Sequence, residues 1–169
     1  MAIALQNAEV QSKIRWQFNN SLDLSTPSES FQYSPRKAFT DGTGANKAQV
    51  AASDQRTLTT GTDETLDLKA LGCAFGTAAF TKVKAIRIEL VTATTGYTLK
   101  VKAGASNGLS AWFSDASDEL IVQAGGAVQL EAPIDGYVVD ATHKTIQITN
   151  PAGGSATYNI IVIGEGTVS

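Results

Sequence analysis

From Leu66 onward, apolar and polar positions fall into short runs rich in Val, Ile, Thr and Tyr, separated by Gly, Asn, Pro and Asp. The clearest runs cover residues 81–91, 97–103, 119–123, 127–131, 136–140, 145–149 and 157–163. Short strands at regular spacing with turn residues between them predict an all-β fold, an antiparallel β-sandwich. Tyr97, Leu99 and Val101 alternate with Thr98, Lys100 and Lys102, so this strand is expected to bury one face and wet the other. In residues 82–90 the apolar set moves from odd to even positions between Ala85 and Ile86. A two-residue period cannot do this without an extra residue, which predicts a β-bulge there. Gly125-Gly126 and the stretch from Asn150 to Gly154 read as turns, either hairpins or corners between sheets. The last run, Tyr158 to Ile163, is apolar on both faces after Asn159, as a central or interface strand would be.

Residues 1–60 follow a different pattern. Trp16-Gln-Phe18 is a plausible strand start, but Ser25 to Ser30 and Thr40 to Asn46 are polar and weakly periodic. This segment is expected to be irregular, with one or two strands, and to belong to the same domain as the sandwich of residues 61–169. Trp16, Phe18, Phe31, Tyr33 and Phe39 punctuate it. Aromatics spaced along an irregular segment suit an arm laid on another surface, or N-terminal strands and loops of the same sandwich.

Composition narrows the class without naming a function. With 169 residues the chain can form one domain with a sizeable core, and 43% hydrophobic against 17% charged residues excludes a disordered chain. No apolar run approaches the ~20 residues of a membrane helix. Net charge is -3, without the concentrated positive charge that phosphate binding uses, so neither a membrane nor nucleic acid is an expected partner. Lys82, Lys84 and Arg87 read as the wet face of a strand. Cys73 is the only cysteine, which rules out an intramolecular disulfide and C-x-x-C metal cages. The opening residues lack a basic n-region and a sustained apolar h-region, so synthesis in a cytoplasm is expected.

Three sequence features invite a chemical reading. Gly104-Ala-Ser106-Asn-Gly108 spells G-x-S-x-G, with His143 and several aspartates downstream in the order of a hydrolase triad. A nucleophile elbow needs a helix behind the serine, and residues 109–119 carry no apolar stripe to form one. Two glycines after a half-buried strand are better explained as a turn, and no catalytic residue, metal ligand or cofactor is assigned. Asp115, Asp118 and Glu119 form an acidic cluster without the ligand order of a calcium loop, and read as a solvated loop. Trp112-Phe113 is a pair of large aromatics that cannot both enter one core from a β segment, so one of them is a candidate contact residue.

Several stretches together carry a resemblance. They are Leu66-Asp-Leu68, Phe80 to Ile88, Leu99 to Gly104, Phe113, Val122 with Gly125-Gly126, Pro133 with Gly136-Tyr-Val138, and Ile146 to Asn150 before Tyr158 to Gly164. Across about residues 66–164 the chain resembles the head decoration, or cement, proteins of tailed bacteriophages. That resemblance implies a jelly-roll-like sandwich that assembles as a homotrimer on the capsid exterior of the virion and fastens neighbouring major capsid protein subunits. The expectation is a structural protein, not an enzyme, with Trp16, Phe18, Phe31, Tyr33, Trp112 and Phe113 as interface candidates. The alternative is a carbohydrate- or receptor-binding sandwich module of a tail fibre or other surface structure.

Overall fold

The computed structural model describes residues 4–113, 115 and 117–169. Fifteen strands follow in order: β1 (Ala8–Gln11), β2 (Ile14–Asn19), β3 (Ser28–Tyr33), β4 (Arg36–Asp41), β5 (Lys47–Ala48), β6 (Val50–Leu58), β7 (Thr62–Asp67), β8 (Leu71–Cys73), β9 (Gly76–Leu90), β10 (Thr98–Ala103), β11 (Glu119–Gln123), β12 (Ala127–Glu131), β13 (Tyr137–Val138), β14 (Thr145–Asn150) and β15 (Ala156–Val168). One 3-10 turn, Ser110–Trp112, interrupts them.

Two antiparallel sheets form the sandwich. One runs β12-β9-β15-β6, with β8 and β13 also paired to β9, and the other runs β11-β10-β14-β7. Leaving aside the short β8 and β13, each consecutive sandwich strand changes sheet except β10 to β11, which gives jelly-roll connectivity. The turns at Gly125-Gly126 and at residues 150–154 are therefore corners between sheets. β15 is central, flanked by β9 and β6, which accounts for its apolar composition on both faces.

The alternation read from the sequence sets the core. Leu66, Leu99, Val101, Val122, Ile146 and Ile148 from the smaller sheet meet Phe80, Ile86, Ile88, Leu90, Tyr158, Ile160 and Val162 from the larger, all buried. Each such side chain contributes about 1.5–3 kcal/mol by leaving water, so this interface is the main source of stability.

The bulge exists but sits one residue earlier than the pattern suggests. Ile163 pairs with Ala85 and Gly164 with Val83, leaving Lys84 as the extra residue. A second shift falls between Glu165 and Gly166. The reading of Lys84 as a wet strand residue is overturned, because the bulge turns its side chain inward and buries it completely.

The first sixty residues are more ordered than their composition suggests. They contain β1 to β6, and β6 pairs with β15 over its full length, so the sandwich begins at Val50 and not near residue 61. The expectation of one or two strands fails because the alternation of this segment pairs into ladders even where, as in β2 and β3, every residue is exposed. β1 pairs with β4, β4 runs parallel to β5, and among the described residues β2 pairs with β3 alone.

Candidate association surface

β1 to β4 form one ribbon. Ala8 pairs with Phe39 and Gln11 with Arg36, then Ile14 pairs with Tyr33 and Asn19 with Ser28. The pairing register is the same from end to end. Between the two ladders Ser12 N–H donates to the Pro35 carbonyl at 3.3 Å, and Gln11 Nε2 donates to Ser34 Oγ at 2.7 Å. Side chains two apart along a strand, and those paired across it, share a face. The face that carries Ala8, Val10 and Phe39 thus continues as Ile14, Trp16, Phe18, Phe31 and Tyr33.

The proximal half is fixed to the sandwich. Phe39 and Ala48 are buried. Ser12 Oγ accepts from Gln129 Nε2 at 3.0 Å, and the Asn46 N–H donates to the Pro133 carbonyl at 2.8 Å. Beneath the adjoining loop, Lys84 Nζ lies 3.0 Å from Glu165 Oε1 and donates to the Ile134 carbonyl at 2.8 Å. The Gly44 N–H donates to the same Glu165 oxygen at 3.0 Å. Burial pushes the Glu165 carboxyl up, but the bonds from Gly44 and Lys84 outweigh it and hold the group below its ordinary range. A buried charge without partners is costly, so this pair clamps the loop after β4 onto β15.

Among the described residues no hydrogen bond or ion pair joins the distal half to the sandwich. Trp16 stacks on Phe31 with ring centres 5.6 Å apart and leans on Phe18 at 5.2 Å. Phe18 is 68% exposed and Leu24, at the tip, is fully exposed. A lone two-stranded hairpin is marginal in water, and one with such a face would ordinarily be covered.

The sandwich's two outer faces differ in the same sense. On the smaller sheet, Lys100 pairs with Glu119 at 2.6 Å, Gln147 Nε2 donates to Asp63, and Ile121 is the lone large apolar residue of the β11 strand on that side. On the larger sheet, Val10, Ala85, Ile161 and Ile163 line a groove of about 210 Å³ bordered by Glu9, Gln129 and Arg87. Ile161 is 39% exposed there, between buried Ile160 and Val162.

The structure thus brings Trp16, Phe18, Phe31 and Tyr33 together on one ribbon face. Trp112 and Phe113 lie elsewhere. Trp112 is half-buried against the core, meeting Tyr137 edge to face at 5.6 Å, and Phe113 is half-buried beside it. Sequence reasoning missed Lys84 and Glu165, although the surplus residue in the 82–90 pattern marked the place. It also missed the strict alternation Ile14-Arg-Trp-Gln-Phe-Asn19, which writes out a strand with one apolar face.

The G-x-S-x-G segment is a tight turn. A Cβ at Gly104 would lie 2.1 Å from Thr145 Oγ1, and one at Gly108 would lie 2.3 Å from the Gly104 carbonyl oxygen, so both glycines are required by close packing. Asn107 between them has φ of 54°. The Thr145 hydroxyl donates to the Ser106 carbonyl at 2.6 Å. His143 Nδ1 lies 3.2 Å from Asp140 on an exposed loop, and among the described residues no hydrogen bond joins it to Ser106. Asp140 is held well below the usual carboxylate range by bonds from Thr142 and His143. Asp115 is lowered likewise by Ser117, and Glu119 is engaged by Lys100. Among the described residues no group of three or more His, Cys, Asp or Glu could hold a metal ion.

No protein-family model matches this chain, and no curated protein matches it. Among solved structures, a chain from work headed "Bacillus endospore appendages form a novel family of disulfide-linked pili" is similar at 14% identity, covering 73% of this chain and 99% of that one, with a TM-score of 0.26. Overlap at that level carries no argument about fold or function.

Proposed function

We propose that this chain is a structural virion protein, a capsid decoration or cement protein that binds the outer capsid surface and stabilises contacts between major capsid protein subunits. The observation that carries the reading is the ribbon. Its apolar face is held by the sandwich over one half and uncovered over the other, an arrangement suited to joining one body to another. The jelly roll supplies a rigid platform, and the apolar groove on its larger sheet adds a second association surface on the same side. Such a protein acts by burying surface between subunits already in place, and symmetry multiplies weak contacts through avidity. The resemblance of residues 66–164 to decoration proteins points the same way and adds a homotrimer.

The test is binding to undecorated capsids, measured as protein retained on sedimented particles over a concentration series. Saturable binding with a fixed number of copies per capsid is expected. Absence of saturable binding overturns the reading.

A further inference from the structure

Three features stand apart from the core: the uncovered distal ribbon, the apolar groove on the larger sheet, and the buried Lys84–Glu165 clamp. The first two fit one another. On the shared register, the ribbon's apolar face continues directly from the part packed on its own sandwich. Whatever covers Trp16 and Phe31 must therefore present a surface that prolongs the outer face of the larger sheet beyond β12. Ser12, bonded to Gln129 of that strand, fixes where the ribbon leaves the sheet. Only Ser12 and Lys13 separate β1 from β2, so the hairpin cannot fold back onto its own groove.

A surface of the right kind exists on every copy of this chain. The groove around Ile161 and Ile163 is apolar at its floor, and its border holds Arg87, ion-paired to Glu89 at 3.4 Å, and Glu9. On the ribbon face the carboxylate is Glu29, paired across from Phe18. The match is of apolar surface to apolar surface, with Glu29 at the edge of the ribbon face able to reach the Arg87–Glu89 pair. Four exposed aromatics with Ile14 offer on the order of several hundred Å². That approaches one partner's share, about 800 Å², of a standard interface.

We propose that the distal ribbon of one copy docks on the outer face of the larger sheet of a second copy, Trp16 and Phe31 seating over Ile161. Ribbon and groove are different patches, so the contact is head-to-tail, and its repetition gives a ring when the rotation between copies closes and a filament when it does not. This deepens the assembly half of the decoration reading by naming the surfaces that meet.

The test uses two proteins in a Cys73→Ser background, one carrying Phe31→Cys and the other Ile161→Cys. They are mixed and oxidised mildly, so that two thiols lose two electrons to the added oxidant and two protons to solvent as the disulfide forms. The expected result is a disulfide joining the two different chains, much stronger in the mixture than in either protein alone. Sedimentation of the unmodified chain gives an oligomer, and Trp16→Ser with Phe31→Ser returns it to a folded 17.7 kDa monomer. Disulfides only between Phe31→Cys copies would show ribbons pairing with each other and overturn the proposal. A monomer at all concentrations with no mixed disulfide overturns it as well. If capsid binding persists in that case, the ribbon's occupant is the capsid protein and decoration stands without ring contact. An intact ring that fails to bind capsids removes decoration and leaves the docking in place.

Discussion

The two halves of the N-terminal ribbon share one register and one alternation, yet differ in what they face. Along β1 and β4 the positions on this face are Ala8, Val10, Lys37 and Phe39, of which Phe39 is buried and Ala8 and Val10 are half-buried against the sandwich. Along β2 and β3 the same face carries Ile14, Trp16, Phe18, Phe31 and Tyr33, larger and more numerous, and all of them are exposed. Stability alone would place the larger residues where they can be buried. On the proposed reading, the distal face is the one buried against another chain, where aromatic residues contribute most.

This contrast can be broken by mutation. The largest effect is expected at the anchor: Phe39→Ala should cost about 3 kcal/mol or more in unfolding free energy, as large-to-small changes at buried aromatics do. The matching change in the distal half, Phe18→Ala, should stay within about 0.5 kcal/mol, as for exposed sites. Urea denaturation of both variants at a concentration where the chain is monomeric compares them directly. Equal losses would erase the distinction between the halves.

Glu165→Gln comes next. Breaking one partner of a buried pair costs on the order of 3 kcal/mol because Lys84 is left uncompensated. The folded carboxyl sits below its unfolded value of about 4.3, so its contribution is present at neutral pH and fades as pH falls below about 5. The variant should lose stability at pH 7 and show a shallower acid decline than the native chain. Asp115 and Asp140 shift in the same direction and will leave a residual slope in both. A variant with an unchanged acid profile would remove Glu165 from the clamp.

Gly104→Ala should cost about 1–3 kcal/mol, since its Cβ would collide with Thr145. Ser106→Ala should cost less than about 0.5 kcal/mol, as expected for an exposed turn residue. Thermal unfolding of the pair separates a packing role for the glycines from any role for the serine between them.

The sandwich was legible because half-buried strands write their period into the sequence. Leu99 and Val101 are core residues as their alternation indicated, and β15 is central as its composition indicated. The displacement of the bulge to Lys84 was hidden because a lysine at a strand position is ordinarily wet, and only pairing with Glu165 from a distant segment makes its burial tolerable. The ribbon was half legible. Trp16 and Phe18 marked a strand, but polar residues around them matched loops, and the partner strand is set by register across a turn. Trp112 shows the opposite case, a loop aromatic that finds its place against Tyr137 at the mouth of the core.

The chain's two tryptophans give the most direct test of whether the distal face exists to be covered. In a Trp112→Phe variant, Trp16 is the sole tryptophan reporter. In dilute monomer its emission should be that of an indole in contact with water. Raising the protein concentration or adding undecorated capsids should shift it to the blue and protect it from a soluble quencher, in proportion to the fraction associated. Association that leaves Trp16 emission and quenching unchanged would contradict the account.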